Sequence, residues 1–295
     1  MKNKPRRKHL KPPGSCIFCG SPGLTQEHIF SEWMHPFFPL DARYSRNGVM
    51  TSGFVPVGDK YKYSVQQNML RQGSIFTKKL KVVCGKRDDT TKCNNTWMSG
   101  IEEAAKPYLI PLFRGEQITL NRQQQLSVVA WIALKTVIAE YFFVNNIAIT
   151  KEERTYIWKY RMPPLHWRIW IGRYQGTKWK PARYSHHGFK INFSPTLEHY
   201  LLSPKFEEQA QCNSQSSTFV IGDLFIHVIS SVHHELVSRF QPNLQQLWPS
   251  PKEPFLHLIP QKIIWPSEIV INDDWADFID SCFHNSYLPK ENIIL

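Results

Sequence analysis

Four cysteines in the first third of the chain have the spacing of ligands for one metal ion. Cys16 and Cys19 form a Cys-x-x-Cys pair, with Gly20 directly after it to permit a tight turn. Cys84 and Cys93 are separated by eight polar, turn-forming residues that can loop out while the two thiols still meet. Structural zinc takes four thiolate or imidazole ligands in a tetrahedron. The sequence therefore predicts a four-cysteine zinc site, and the alternative is four reduced thiols without metal.

An acidic–histidine pair, Glu27-His28, follows the first two cysteines, and two asparagines, Asn94-Asn95, follow the fourth. Hydrolysis of a phosphodiester needs an activated water molecule and a cation beside the transition state. A neutral imidazole can take the proton of the water, while carboxylate and amide oxygens suit a hard divalent ion such as Mg²⁺. Adjacent residues at the end of a strand point in opposite directions. Glu27 could therefore hold an ion while His28 faces the water, with Asn94 closing the metal site.

The combined pattern resembles a known family. Cys16-x-x-Cys19, Leu24-Thr25-x-Glu27-His28-Ile29 and the segment from Cys84 to Glu102 together resemble the zinc-containing branch of the HNH endonucleases, over about residues 14–106. The resemblance implies the ββα-metal fold, with His28 as general base and a catalytic Mg²⁺ or Mn²⁺ bound by Glu27 and Asn94. If the alignment of this sequence with the family motif is shifted by one residue, Asn95 takes the place of Asn94 as the second ligand. Ser99 and Glu102 match positions that support the helix.

Two features depart from the family pattern. The second cysteine pair is stretched by the intervening segment 85–92. The asparagine that orients the general base a few residues before the third cysteine is absent, because residues 77–80 read Thr-Lys-Lys-Leu. The orienting group would then be missing or be a backbone carbonyl.

The composition is that of a globular, basic protein. Of the 295 residues 42% are hydrophobic, enough for a sizeable core, and the formal net charge is +12. A strongly basic surface favours polyanionic partners such as nucleic acid, and the family resemblance implies double-stranded DNA as that partner. The start of the chain lacks the apolar stretch of a signal peptide, and no segment is apolar for long enough to span a membrane. We therefore expect a cytoplasmic protein in which Cys212 and Cys282 are ordinary thiols.

Hydrophobic periodicity divides the chain into four parts and predicts an α+β protein. Residues 1–13 form a basic arm, either a phosphate-binding tail or a solubilising leader. Residues 14–110 form the nuclease-like domain, with a basic insertion at about 36–75 and a strand over 74–84. Its first strand runs through Leu24, although a helix capped by Thr25 is the competing interpretation. A helix begins near Cys93 and is limited by Pro107.

The remaining parts are a central helical segment, 111–150, and a C-terminal α+β domain, 151–295. An apolar helix over 121–146 has its core positions at three- and four-residue steps and stops at Asn145-Asn146. A shorter helix, 152–160, precedes strands at 166–174 and 189–193, and two strands over 218–231 join at a Gly-Asp turn. The sheet is expected to be antiparallel. A closing helix, about 273–283, should face inward with Trp275, Phe278 and Ile279.

Three functions remain open on this evidence. The first is a metal-dependent DNA endonuclease, of the kind that the family supplies to bacterial or phage defence and to mobile elements. The second is a catalytically inactive zinc module that binds nucleic acid. In the third, the C-terminal domain senses a ligand or binds a protein partner and controls the nuclease. The histidine pairs His186-His187 and His233-His234 have no neighbouring ligands at metal spacing and are assigned to surface or packing roles.

Overall fold

A computed structural model describes residues 13–37, 48–57, 60–69, 79–85, 89, 91–142, 147–194, 199–202, 212–249 and 262–281. The fold contains both helices and mainly antiparallel sheets, which confirms the α+β class predicted from the sequence. Nearly all of the basic arm, the helix stop at Asn145-Asn146, and Cys282 lie outside the described residues.

The acidic–histidine pair lies on a two-stranded hairpin. Strand β1 (Leu24–His28) pairs antiparallel with β4 (Lys79–Cys84), so that Leu24 faces Cys84 and His28 faces Lys79. The competing helix at Thr25 is not formed. Ile29 and Phe30, which follow the strand, are buried and anchor its end in the core before a short 3-10 helix, Glu32–Phe37. Between β1 and β4 the chain makes two further strands, β2 (Gly48–Val57) and β3 (Lys60–Met69).

A helix follows the fourth cysteine and is longer than the sequence predicts. After a π-helical turn, Asn94–Met98, helix α1 (Ser99–Arg114) runs through Pro107 and Pro111 and ends at Gly115, which has a left-handed φ of 66°. The prediction that Pro107 limits the helix is wrong. Pro107 is exposed, so the carbonyl that loses its helical partner faces water, while Leu109 and Leu112 beyond it are fully buried. Burial of the second half of the helix outweighs the lost hydrogen bond.

The apolar helix α2 (Arg122–Glu140) is buried along almost its whole length. It begins at a capping box in which Asn121 Oδ1 accepts from the N–H of Gln124 at 3.0 Å and Gln124 Oε1 accepts from the N–H of Asn121 at 2.8 Å. It ends at Glu140, earlier than predicted. Helix α3 (Lys151–Tyr160) follows, close to the predicted 152–160, with a second capping box at Thr150 and Glu153.

An eight-stranded sheet forms the other layer. Besides β2 and β3 it contains β6 (Arg168–Tyr174), β7 (Ala182–Phe189), β10 (Ser214–Ile221), β11 (Leu224–Ser231), β12 (Gln245–Trp248) and β14 (Val270–Ile271). Within the described residues its strand order is β12-β6-β11-β10-β7-β2-β3, with β14 pairing β6. The pairs are antiparallel except β2–β7 and β14–β6. The two strands of the predicted insertion thus extend the sheet of the C-terminal half.

Smaller pairings complete the fold. Strand β5 (Ile118–Asn121), between α1 and α2, pairs antiparallel with β13 (Lys262–Trp265), and β8 (Ile191–Ser194) pairs with β9 (His199–Leu202). A short helix, α4 (His234–Arg239), follows β11. One buried hydrophobic cluster contains residues from Cys16 to Trp265 and so runs across the three predicted globular segments. The division at residues 110 and 150 stays a prediction.

The closing helix α5 (Asp273–Ser281) is present, but of its three predicted inward residues Trp275 is only partly buried and Phe278 is exposed. Ile279 is buried, whereas Phe278 is 44% exposed. The reason is the buried Asp280, whose Oδ2 accepts from Ser185 Oγ at 2.8 Å. Because Ala276, Ile279 and Asp280 face the sheet together, the helix is turned so that Phe278 lies toward solvent.

Candidate metal centre and histidine site

The four cysteines predicted to bind zinc converge. Cys16 and Cys19 lie in a turn before β1, Cys84 ends β4, and Cys93 precedes the π-helical turn. Their sulfur atoms all lie within 4.8 Å of one another, and those of Cys19 and Cys84 are 3.5 Å apart. Within the described residues they are the one group of three or more Cys, His, Asp or Glu whose ligand atoms are so close.

The sulfur arrangement fits a tetrahedral zinc ion. Zn–S bonds of about 2.3 Å place the sulfurs of a tetrahedron roughly 3.8 Å apart, close to the spacing that these four thiols have. The N–H of Cys93 also donates to Cys84 Sγ at 3.3 Å, as backbone amides do toward metal-bound thiolates. A hydrogen bond from Cys93 lowers the pKa of Cys16 to about 4. Burial raises the pKa of Cys84, and the hydrogen bond with Cys16 raises that of Cys93. Cys16 is therefore the favoured thiolate, and a metal ion would have to displace the protons of Cys84 and Cys93, because thiolate is the form that binds metal.

Two arginines, one in helix α3 and one directly after it, lie beside this cysteine cluster. Arg154 Nε donates to the carbonyl of Ile17 at 3.1 Å, within the first cysteine pair. The guanidinium of Arg161 lies over the ring of Trp97, 4.5 Å from its centroid. Burial lowers the pKa of Arg161, and the nearby Cys93 partly offsets that effect. A zinc ion with four thiolates carries a net negative charge, and Arg161 is placed to balance part of it.

Glu27 makes an ion pair deep in the structure. Its carboxylate Oε1 lies 2.8 Å from the ammonium Nζ of Lys135 in α2, and Oε1 of Glu102 in α1 lies 2.6 Å from the same nitrogen. The Lys135 side chain is only 1% exposed. Burial lowers the pKa of such a lysine, but Glu27 and Glu102 outweigh burial and raise it. Likewise burial would raise the pKa of Glu102, but Lys135 holds it below its usual value. Lys135 and Glu102 are therefore both charged.

His28 lies at the end of β1, beside this ion pair and closer to solvent. Its imidazole Nε2 lies 3.3 Å from Oε1 of Glu32, and the side chain of His28 is 15% exposed. Glu32 is 68% exposed and also lies 3.5 Å from Nζ of Lys79. Solvent can therefore reach the histidine from the Glu32 side, whereas its backbone carbonyl faces the interior and accepts from Lys135 Nζ at 3.1 Å.

Asn94 and Asn95 lie at the other end of the hairpin. A Cβ atom added to Gly85 would lie 3.2 Å from the Cβ of Asn94, which places Asn94 beside the Leu24–Cys84 end of the strand pair. From Thr25 to His28 is about 10 Å along a strand, and from Asn94 to Glu102 about 12 Å along a helix. The structure therefore brings together Glu27, His28 and Glu102, but brings neither asparagine to them.

The predicted divalent-ion site is not assembled by this arrangement. Glu27 is engaged by Lys135, and its predicted co-ligand Asn94 is roughly one hairpin length away. Within the described part of the chain, Glu27 and His28 belong to no group of acidic or imidazole ligands at metal spacing. The residues named from sequence as ligands of Mg²⁺ or Mn²⁺ therefore do not fit one ion as the side chains stand.

Sequence analysis missed Lys135. The available signal was a lysine in the middle of the apolar run Ala130–Ala139, where an unpaired charge would be costly. Its partners could not be read from sequence, because Glu27 and His28 lie more than a hundred residues earlier.

Of the other histidines, His186 and His187 are fully buried in β7, and His233 Nε2 contacts the carbonyl of Ile191 at 2.8 Å.

Comparison of the chain with protein-family models, with curated proteins and with solved structures found no match. None of the helices in the described ranges combines the length and the hydropathy of a membrane span.

Proposed function

We propose that this protein is an HNH-type endonuclease that hydrolyses phosphodiester bonds in DNA, with His28 as the general base. The observation that supports it best is the order of elements around the cysteine cluster. A strand ending in Glu27-His28, a return strand ending in Cys84 and a helix beginning after Cys93 form one ββα unit held by four converging thiols. This is the arrangement that the resemblance to the zinc-containing HNH enzymes implies. The net charge of +12 supports a polyanionic substrate.

The geometry at His28 supports proton transfer. In the proposed reaction the oxygen of a water molecule attacks phosphorus, the bond to the leaving oxygen breaks, and the proton of the water passes to the imidazole. Oε1 of Glu32, 3.3 Å from Nε2, is placed to stabilise the imidazolium that results. The imidazole is partly exposed, so the phosphate of a DNA strand can approach it from the Glu32 side.

Dependence on Mg²⁺ or Mn²⁺ is part of the proposal through the family resemblance alone. Because the ligand set Glu27 and Asn94 does not fit one ion, we derive no step of the reaction through it. Zinc is proposed as the structural ion of the four cysteines. A nuclease assay with and without chelator, on protein that retains its zinc, measures the divalent-ion requirement separately.

The test of the proposed function is cleavage of supercoiled plasmid DNA in the presence of Mg²⁺ or Mn²⁺. His28→Ala should reduce the rate by about 10²-fold or more, because a positioned general base contributes about 10²–10⁴-fold, while the zinc content stays that of the unaltered protein. His234→Ala is the matched control, since His234 is an exposed histidine at the start of α4. Unchanged cleavage by His28→Ala would remove His28 from this role.

A non-catalytic zinc module that binds nucleic acid is the second candidate. Two observations favour it: the expected asparagine before the third cysteine is absent, and Glu27 is neutralised by Lys135. Salt-sensitive DNA binding with no turnover under any divalent ion would support this candidate over the endonuclease. Co-purification of a small ligand or a second protein would support a sensing or partner-binding role for the C-terminal half. Nucleases of defence systems often carry a domain of this kind.

A further inference from the structure

Lys135 is placed to orient the proposed general base. An ammonium group has three protons to donate, and three acceptors surround this one: Oε1 of Glu27, Oε1 of Glu102 and the backbone carbonyl of His28. The side chain is 1% exposed, so water does not replace these partners. The lysine therefore joins three segments, since Glu27 and His28 end β1, Glu102 lies in α1, and Lys135 itself lies in α2.

The contact with His28 fixes the backbone of that residue from the interior. The carbonyl of His28 lies 3.1 Å from Nζ, and the preceding side chain, Glu27, is held at 2.8 Å by the same nitrogen. With the carbonyl and the neighbouring carboxylate both anchored, the direction in which the imidazole leaves the strand is restricted. The imidazole itself remains on the solvent side, beside Glu32.

The described part of β4 places a leucine and a lysine opposite the Glu27-His28 pair. Leu80 lies opposite Glu27, and Lys79 lies opposite His28, with the Lys79 ammonium 3.5 Å from Oε1 of Glu32. The orienting asparagine expected before the third cysteine is absent from this strand. The donor to the carbonyl comes instead from α2, a helix outside the ββα unit.

We propose that Lys135 is the positioning residue of the active site and takes the part of the absent asparagine by holding the backbone of His28. This proposal rests on the proposed endonuclease function. It also means that the ββα unit is catalytically complete only when α2 is packed against it. Burying an ammonium group costs free energy, and an apolar residue of similar shape often stabilises a fold equally well. Stability alone therefore does not explain a lysine at this position.

The test compares kcat and KM for plasmid cleavage in Lys135→Met and Glu102→Gln. Both changes break the Lys135–Glu102 ion pair, but only Lys135→Met removes the donor to the carbonyl of His28. We expect kcat of Lys135→Met to fall by about 10²-fold, the scale of a misplaced catalytic group, with KM within about twofold and zinc retained. Glu102→Gln should lose thermal stability but keep far more of its kcat. Lys178→Met, which breaks an exposed ion pair with Asp277, is the matched lysine control.

Equal kcat losses in Lys135→Met and Glu102→Gln, or an unchanged kcat in folded Lys135→Met, would overturn the positioning role while leaving the endonuclease proposal intact. If the unaltered protein cleaves no DNA, the endonuclease proposal fails, and the positioning role fails with it. If Lys135→Met does not fold, the double variant Lys135→Met/Glu102→Gln replaces it, because only the Glu27 carboxylate is then left without its lysine. Its kcat is compared with that of Glu102→Gln alone. Retained kcat in that double variant contradicts the proposal.

Discussion

Among single residues, Glu140 at the end of α2 shows how burial changes an acid. Its side chain is fully buried, and Oε1 accepts from the N–H groups of Ala148 and Ile149 at 2.6 and 3.0 Å. Burial raises its pKa to about 8, although the two N–H groups act in the opposite direction. In the folded protein this carboxyl is therefore largely protonated at neutral pH, unlike that of Glu102, whose pKa is lowered by its partner Lys135.

Glu140 should make stability fall as pH rises. The folded-state pKa lies near 8 and the ordinary value is 4.5, so its contribution is complete below pH 4.5 and is lost as pH rises to about 8. The free energy of unfolding should decline over this window by on the order of 1 kcal/mol per pH unit. Glu140→Gln should flatten the decline, measured by urea unfolding at pH 5 to 8. Parallel slopes in the two proteins would show that Glu140 does not titrate in this way.

Residue types predicted the metal site better than the histidine site. Cysteine spacing alone identified four residues that converge, because few other roles require four thiols so distributed. A motif gives the order of residues along the chain, but it does not show at which end of the hairpin the helix begins, and Asn94 lies beside the Cys84 end. The catalytic roles of Asn94 and Asn95 stay predictions. Lys135 was missed since its importance depends on contacts with Glu27 and His28 that only the tertiary fold creates.

At the scale of elements, both the cysteine cluster and Lys135 connect the hairpin β1–β4 to helix α1, in addition to the hydrophobic core that these elements share. Each strand of the hairpin has at most six residues. An isolated two-stranded hairpin is marginally stable in water. Cys84 and Cys93 connect the end of β4 to the beginning of the helix, and Cys16 and Cys19 connect the segment before β1 to both.

Loss of one cluster cysteine should therefore unfold this unit. Cys93→Ser removes a thiolate ligand, and structural zinc contributes on the order of 10 kcal/mol of binding free energy that is coupled to folding. We expect the zinc content to fall from about one ion per chain to well below that value, with a lower melting temperature, by elemental analysis and circular dichroism. Cys212→Ser is the matched control, since burial raises the pKa of Cys212 to about 12 and it lies outside the cluster. Full zinc content in Cys93→Ser would contradict the ligand assignment.

Periodicity predicted four of the five described α-helices and about half of the described strands, but not the partners of those strands. The two strands around Gly222-Asp223 and the apolar α2 followed directly from alternation and three- to four-residue steps. The parallel pairing of β2 with β7 could not be predicted, because register between distant strands depends on the whole sheet. The phase of α5 was wrong because one polar residue, Asp280, is the buried one.

On the scale of the whole molecule, charge and topology decide how DNA could bind. The formal net charge of +12 belongs to the full chain, and two lysines near His28 are paired with acids, Lys79 with Glu32 and Lys135 with Glu27. Binding without base readout would then depend on phosphate contacts distributed over the surface.

DNA affinity should therefore fall steeply with salt. For three or more phosphate contacts the plot of log K against log salt concentration has a slope of about −3 or steeper. Fluorescence anisotropy of a labelled duplex with His28→Ala, which should bind without cleaving, measures this slope. A slope near zero would argue against a nucleic-acid partner altogether, for the endonuclease and the binding module alike.

The pairing of β5 with β13 has a consequence for synthesis of the protein. Strand β5 joins α1 to α2, the helices that carry Glu102 and Lys135, and its partner strand is encoded more than a hundred residues later. On a ribosome adding about 5–20 residues per second, the joint between these helices waits about 7–30 seconds for its partner strand. We expect nascent chains that already contain every residue of the histidine site to leave that site unassembled until β13 has emerged, so the activity proposed for it would begin late in synthesis.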